Sequence, residues 1–159
     1  RTQVDAGVQV VQLFDSWVGA LSPVDYDRFV SPFSRAIFDA LSADGTPTIH
    51  FGTGTAGLLR SMKDAGGDVI GVDWRIDLDD AWDAIGYERG IQGNLEPAIV
   101  LSSPDVISER TIDVLRRAGG RRGHIFNLGH GVLPDTPREH LREIVRIVHA
   151  FVPETEGVR

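Results

Sequence analysis

Five runs of apolar and β-branched residues, each passing through a polar or glycine-rich loop into sequence with helical periodicity, constrain this chain more than any other feature. The runs are Val8 to Phe14, Thr48 to Phe51, Asp68 to Asp73, Gly90 to Gly93 and His124 to Phe126. Strands joined through helices imply right-handed crossovers and a parallel α/β sheet. The helices carry their own punctuation. Ser22-Pro23, Ser31-Pro32 and Ser103-Pro104 set a capping hydroxyl before a proline, and Gly66-Gly67, Gly86 and Gly119-Gly120 supply stops. Apolar helix faces are predicted at Phe33, Ile37, Phe38 and Leu41, then at Leu58, Leu59 and Met62, and then at Leu78, Ala81, Trp82 and Ile85. Two more follow, at Val106, Ile107, Ile112 and Leu115 and at Leu141, Ile144, Val145, Val148 and Phe151, before Pro153.

Nearly every run ends in polar or glycine residues: Asp15-Ser16, Gly52-Thr53, Asp73-Trp74, Asn94 and Asn127 to His130. Parallel sheets bind ligands at the carboxyl ends of their strands, so the function is expected on that face. The sharpest stretch runs from His124 to Asp135, a strand that delivers His130 into a loop between Gly129 and Gly131. Those glycines are expected to provide backbone angles that other residues resist. Thr136-Pro137-Arg138-Glu139 then reads as a capping box with Thr136 as N-cap.

Each candidate has two readings. His130 can donate to a substrate carboxylate or exchange a proton near neutral pH, or it can cap nearby carbonyls. Asp15 and Ser16 offer a carboxylate and a hydroxyl to a ligand, or cap the following turn. His50 and His124, inside strands, read as core or wall residues. Asp73 and Asn94 either hold strand-end loops together or touch a ligand. Trp17, Trp74 and Trp82 are large enough to be core residues, although Trp17 and Trp74, at strand ends, could instead form pocket wall. Asp77-Leu78-Asp79-Asp80 reads as a helix N-terminus answering the macrodipole, and Arg121-Arg122 as solvated surface on the opposite face.

The glycine run Gly52-x-Gly54-x-x-Gly57 follows a strand, precedes a helix and is succeeded by Asp73 at the next strand end. That is the layout of a dinucleotide-binding fingerprint, in which Gly54 would admit a pyrophosphate and Asp73 would hold a ribose hydroxyl. The alternative is a glycine-rich loop that happens to match. A fingerprint of this kind normally begins its domain, whereas here one strand already precedes it.

Composition narrows the classes. A chain of 159 residues, 42% of them hydrophobic, is expected to hold one core. Its 16 basic and 23 acidic residues give a net charge of −7, which argues against non-specific nucleic-acid binding. The absence of cysteine excludes disulfides and thiolate-ligated metals within this sequence, and no metal site is expected. No apolar run approaches the roughly 18 residues of a membrane span, and Arg1-Thr2-Gln3-Val4-Asp5 resembles no signal peptide, so a cytoplasmic location is expected. Residues 154–159 read as a flexible tail.

Phe126-Asn127-Leu128-Gly129-His130-Gly131, taken with Gly71-Val72-Asp73-Trp74, Gln92-Gly93-Asn94-Leu95-Glu96-Pro97 and Leu13-Phe14-Asp15-Ser16, resembles the uroporphyrinogen decarboxylase family. The matches keep order and spacing across essentially the whole chain, and the Asn-Leu-Gly-His-Gly segment is the most specific of them. The resemblance implies a (β/α)8 TIM barrel acting as a homodimer. Its implied reaction removes the four acetate carboxyls of uroporphyrinogen III to give coproporphyrinogen III, in heme and tetrapyrrole biosynthesis and with no cofactor. It implies substrate contacts for Ser16 and His130, with Asp15, Asn127, Gly129 and Gly131 as candidate pocket lining. It also implies no nucleotide at Gly52 to Gly57. The family's proton-donor arginine, pyrrole-gathering aspartate and supporting tyrosine find no counterpart here, since Tyr26 and Tyr87 lie outside that motif's context, so no catalytic residue is assigned.

A (β/α)8 barrel needs roughly 250 residues and closure between its first and last strands. This chain therefore reads as the last five or so βα units, over residues 1–153, with the amino-terminal part of the barrel elsewhere. A start without methionine is what a fragment would show. Alone, such a piece is expected to be inactive and to associate through its open edges. Three alternatives stand beside the decarboxylase: a related barrel methyltransferase, which needs the thiolates missing here, a silent fragment, and an NAD-binding α/β domain.

Overall fold

The computed structural model describes residues 1–43 and 45–153, so the tail expected over 154–159 lies outside the described residues. The chain forms β1 (Val11–Asp15), β2 (Thr48–Gly52), β3 (Val69–Gly71), β4 (Gly90–Leu95) and β5 (His124–Leu128). Around them run α1 (Thr2–Asp5), α2 (Pro23–Phe29), α3 (Ser31–Ser42), α4 (Leu59–Ala65), α5 (Leu78–Ile85), α6 (Pro104–Ala118) and α7 (Arg138–Ala150). All strand pairs are parallel and the spatial order is β1-β2-β3-β4-β5. Strands that neighbour in space as they do in sequence are the arrangement of a (β/α)8 barrel. A doubly wound sheet instead reverses its order partway.

Because side chains alternate faces along a strand, the register sorts them. Leu13, His50, Ile70, Ile91 and His124 share one face, and Gln12, Ile49, Val69 or Gly71, Gln92 and Ile125 the other. The first face meets the helices. Ile70, Val72, Ile91 and Leu95 pack there with Leu59 of α4, Leu78, Trp82 and Ile85 of α5, Ile107 and Val114 of α6 and Ile144 of α7. Trp82 is fully buried and its indole N–H donates to the Arg89 carbonyl at 2.8 Å. A smaller cluster of Val18, Tyr26, Leu58 and Met62 lies nearer the β1 side.

The other face is concave. The Gln92 side-chain amide donates to Gln12 Oε1 at 3.1 Å, although β2 and β3 intervene. Three strand spacings would hold them about 14 Å apart in a flat sheet, so the curl of a barrel closes that gap. Phe14 and Ile125, on the concave side of the two edge strands, are 66% and 43% exposed. Interior-facing residues exposed on both edge strands are what an incomplete barrel shows.

Several local expectations need correction. Of the face expected on α3, Phe38 is buried but Phe33 and Ile37 are exposed, and Ser31 and Ser34 are buried in their place. The helix docks through small hydroxyl residues because one of them, Ser34, reaches a carboxylate beneath it. Only Val30 separates α2 from α3, so Ser31 is already helical and does not cap. Val106 and Val145 likewise face outward. Asp77 does stand at the N-cap of α5, but its carboxylate joins Asp79 and Asp113 around the Arg117 guanidinium of α6. The Thr136 capping box does not form: Pro137 is the N-cap of α7, and Thr136 Oγ1 is buried with no hydrogen-bond partner among the described residues. Ser22, by contrast, caps α2 as expected, accepting from the Asp25 amide at 3.2 Å.

Candidate active site

The carboxyl ends of the strands gather the residues singled out in the sequence, and the backbone explains how each is presented. β5 runs past Asn127 to Leu128, and the Gly129 amide then donates to the Leu95 carbonyl at 2.7 Å, which ties the histidine loop to the end of β4. A Cβ on Gly129 would stand 2.7 Å from the Trp74 amide nitrogen and 3.0 Å from its ring. Close approach, not an unusual φ, is what demands glycine there. Gly131 has open space around its Cα and no left-handed φ, so the expectation that it supplies special backbone angles does not hold.

His130 is exposed on this loop, and its ring centroid lies 6.4 Å from that of Phe51. Phe51 meets Phe14 edge-on at 5.8 Å. The three rings follow one another across the concave face from β1 through β2 to the histidine loop. Among the described residues no protein group hydrogen-bonds the His130 ring, and the same is true of the Ser16 hydroxyl. Asn127 is exposed, with its Oδ1 taken by the Leu128 amide at 2.9 Å, which leaves its amide nitrogen available.

Asp15 is used differently. Its parity puts it on the helical side of the sheet, where Oδ2 lies 2.8 Å from His50 Nε2 and accepts from the Ser34 hydroxyl at 3.1 Å. Of the expected lining residues it therefore stands apart from Asn127, Gly129 and Gly131. Trp17, just beyond it, is 90% exposed and belongs to no core.

Asp73 and Asn94 hold loops together. The Asp73 carboxylate, 2% exposed, accepts from the Gly54 amide at 2.7 Å, from the Arg75 amide at 3.1 Å and from the Arg75 guanidinium. Asn94 donates to the Asp73 and Ile76 carbonyls at 3.0 and 2.7 Å. This overturns the nucleotide reading of Gly52 to Gly57. The amide that would face a pyrophosphate and the carboxylate that would hold a ribose are bonded to each other, and Ala56–Leu58 forms a 3-10 turn where an open helix N-terminus would be needed.

The two strand histidines are wall and core as expected, with more polar contact than the sequence suggested. Burial pushes the His124 imidazole below its ordinary value, opposed by a bond from Nε2 to the Gly93 carbonyl at 3.0 Å. His50 is fully buried and contacted at both ring nitrogens. The Gln12–Gln92 bridge and the partners of His50 were missed. The available signal was polar side chains at alternate positions inside otherwise apolar strands.

The five-strand order and the concave face define part of a (β/α)8 barrel, a fold that builds enzyme sites on its βα loops. The family model for uroporphyrinogen decarboxylase matches residues 1–151, and the chain belongs to that family. A uroporphyrinogen decarboxylase of Sorangium cellulosum is 53% identical over 151 residues, covering 95% of this chain and 43% of its own length. One from Streptomyces coelicolor is 51% identical over 149 residues, covering 94% of this chain and 42% of its own length. The chain thus spans less than half the length of these curated relatives. A solved methyltransferase from Methanosarcina mazei superposes with a TM-score of 0.78 over 91% of this chain and 42% of its own, at 21% identity, a likeness of fold alone. No described helix is long and apolar enough to cross a membrane.

Proposed function

We propose that this chain is the carboxyl-terminal part of a barrel that decarboxylates the four acetate side chains of uroporphyrinogen III, giving coproporphyrinogen III without a cofactor. The single observation that carries the reading is the Asn127 to Gly131 loop, which holds an exposed, unbonded His130 over the concave face of a chain in this family. In the proposed reaction a proton adds to the pyrrole α-carbon next to the carbon bearing the acetate, and the cationic ring accepts the electron pair of the breaking carbon–carbon bond, forming an exocyclic methylene, as carbon dioxide leaves. The methylene carbon then takes up a proton, the ring gives one back, and a methyl group remains. Such chemistry asks a protein for charge placement and a positioned donor.

Within this chain Ser16 and His130 are read as donors to substrate carboxylates, with Phe14 and Phe51 as the apolar floor beside them. The pyrrole-gathering aspartate and the proton-donor arginine belong to the remainder of the barrel. A homodimer and a cytoplasmic location belong to the same reading.

The test is a chromatographic product assay on uroporphyrinogen. This chain is incubated alone, with a separately supplied amino-terminal portion of the Sorangium cellulosum relative, and as His130→Ala in the same mixture. Coproporphyrinogen is expected only when both portions are present, and less of it with the substitution. Two folded, associated portions that yield none would sink the reading.

A further inference from the structure

His50 sits at the centre of a buried polar cluster that the proposed chemistry does not use. Its Nδ1 lies 3.1 Å from the Met62 carbonyl and 3.2 Å from that of Gly66, in the last turn and C-cap of α4. Its Nε2 lies 2.8 Å from Asp15 Oδ2 and 3.5 Å from the Tyr26 hydroxyl of α2, and Ser34 of α3 donates to the same carboxylate oxygen. Burial, and then the charge of Asp15, pushes the Tyr26 hydroxyl well above its ordinary range, so it stands as a neutral partner. Through one imidazole and one carboxylate, the end of β1 is tied to β2, α2, α3 and α4.

The next residue is Ser16. Its carbonyl accepts from the hydroxyl of Thr53, the first residue after β2. A Cβ on Gly52 would come within 3.2 Å of the Asp15 carbonyl, so the two strand ends are also in close backbone contact. The Asp15-Ser16 step is therefore fixed by its carboxylate and by the carbonyl that follows, while the Ser16 hydroxyl takes no protein partner among the described residues. With the backbone on either side of it held this way, only the Ser16 side-chain rotamer is left to order when a ligand arrives.

We infer that His50 is a positioning residue: through Asp15 it holds the Ser16 hydroxyl for a carboxylate of a polycarboxylated tetrapyrrole. The inference rests on the reading of Ser16 as a substrate contact. A histidine serving only the core would stabilise the fold and have no particular coupling to Ser16.

The experiment is a double-substitution cycle read by binding. In the whole barrel, this sequence joined to the amino-terminal portion of the Sorangium cellulosum relative, uroporphyrin is titrated as the oxidised, unreactive probe, with thermal unfolding in parallel. Ser16→Ala is expected to weaken binding about tenfold, as loss of one hydrogen bond to a charged group does. His50→Phe is expected to weaken it nearly as much, the double variant no further, and His50→Gln to recover most of the loss. Asp15→Asn carries the same cycle if His50→Phe does not fold. Losses that multiply in the double variant, or a His50→Phe with unchanged binding, overturn the inference. An unchanged Ser16→Ala removes the substrate contact itself and the inference with it. Binding that behaves as expected in a barrel without turnover would reject the decarboxylase reading and leave the positioning role standing.

Discussion

The Gly54 amide donates to the Asp73 carboxylate at 2.7 Å, so the two residues a nucleotide would need are already each other's partners. Asp73 is nearly inaccessible and also carries the Arg75 amide and guanidinium. Asp73→Ala leaves those donors without their acceptor and is expected to cost on the order of 2–3 kcal/mol, read as a lowered urea midpoint. A fluorescence titration of the unsubstituted chain with NADH is expected to show no saturable binding. Saturation in the micromolar range would restore the fingerprint reading and overturn the structural role given to Asp73.

Gly129 and Gly131 look alike in the sequence and are expected to behave differently. A methyl at Gly129 must displace the Trp74 backbone or its own loop, since the nearest atom is main chain. Gly129→Ala is therefore expected to destabilise by about 1–3 kcal/mol and, in a complete barrel, to raise KM by moving His130. Gly131→Ala meets open space at an ordinary φ and is expected to stay within about 0.5 kcal/mol of the parent. Equal effects at the two positions would show that close approach is not what selects glycine at Gly129.

The contrast between those glycines shows where the sequence could be read and where it could not. The alternation of strands and helices in a parallel sheet and the helix stops at Gly66, Gly86 and Gly119 follow from local signals, namely periodicity, proline and glycine, whereas the barrel order of the strands is implied by the family resemblance. What failed depends on neighbours remote in sequence. Phe33 and Ile37 have the right spacing for a buried face, but Ser34 docks on Asp15, 19 residues away, and rotates α3 accordingly. From its place at a strand end Asp15 reads as offering its carboxylate to a ligand or capping the following turn. Its parity on β1, fixed by pairing with β2, directs the carboxylate toward His50 instead. The concave Gln12–Gln92 bridge spans 80 residues and exists only because the sheet curls.

Thr136 separates the two accounts of the α7 start. As an N-cap its replacement would cost about 1 kcal/mol. The structure instead buries Oγ1 with no partner among the described residues and begins the helix after Pro137. Thr136→Val keeps the shape and removes the unsatisfied hydroxyl, so thermal unfolding is expected to shift by less than about 0.5 kcal/mol or toward greater stability. A loss near 1 kcal/mol would reinstate the capping box.

His124 gives the chain a pH dependence whose sign can be stated. It sits on β5 against Trp82 and Phe126, with ring centroids 6.4 and 6.3 Å away, and its Nε2–H donates to the Gly93 carbonyl at 3.0 Å. Burial disfavours the charged ring more than that carbonyl favours it, so the native imidazole titrates below the ordinary 6.5. As pH falls past 6.5 the unfolded chain takes up the proton first, and in that window it holds more protons than the native state. This contribution to stability is therefore complete above 6.5, is lost as pH falls toward the native value, and levels off below it. Its slope cannot exceed one proton's worth, about 1.4 kcal/mol per pH unit. Urea unfolding of the parent and of His124→Gln, compared between pH 7.5 and 5, isolates this group from the carboxylates that titrate lower. The parent is expected to lose stability relative to the variant as pH falls. A difference that stays flat, or that grows in the parent's favour, would mean the native ring accepts its proton as readily as the unfolded one and is not held in the apolar wall described for it.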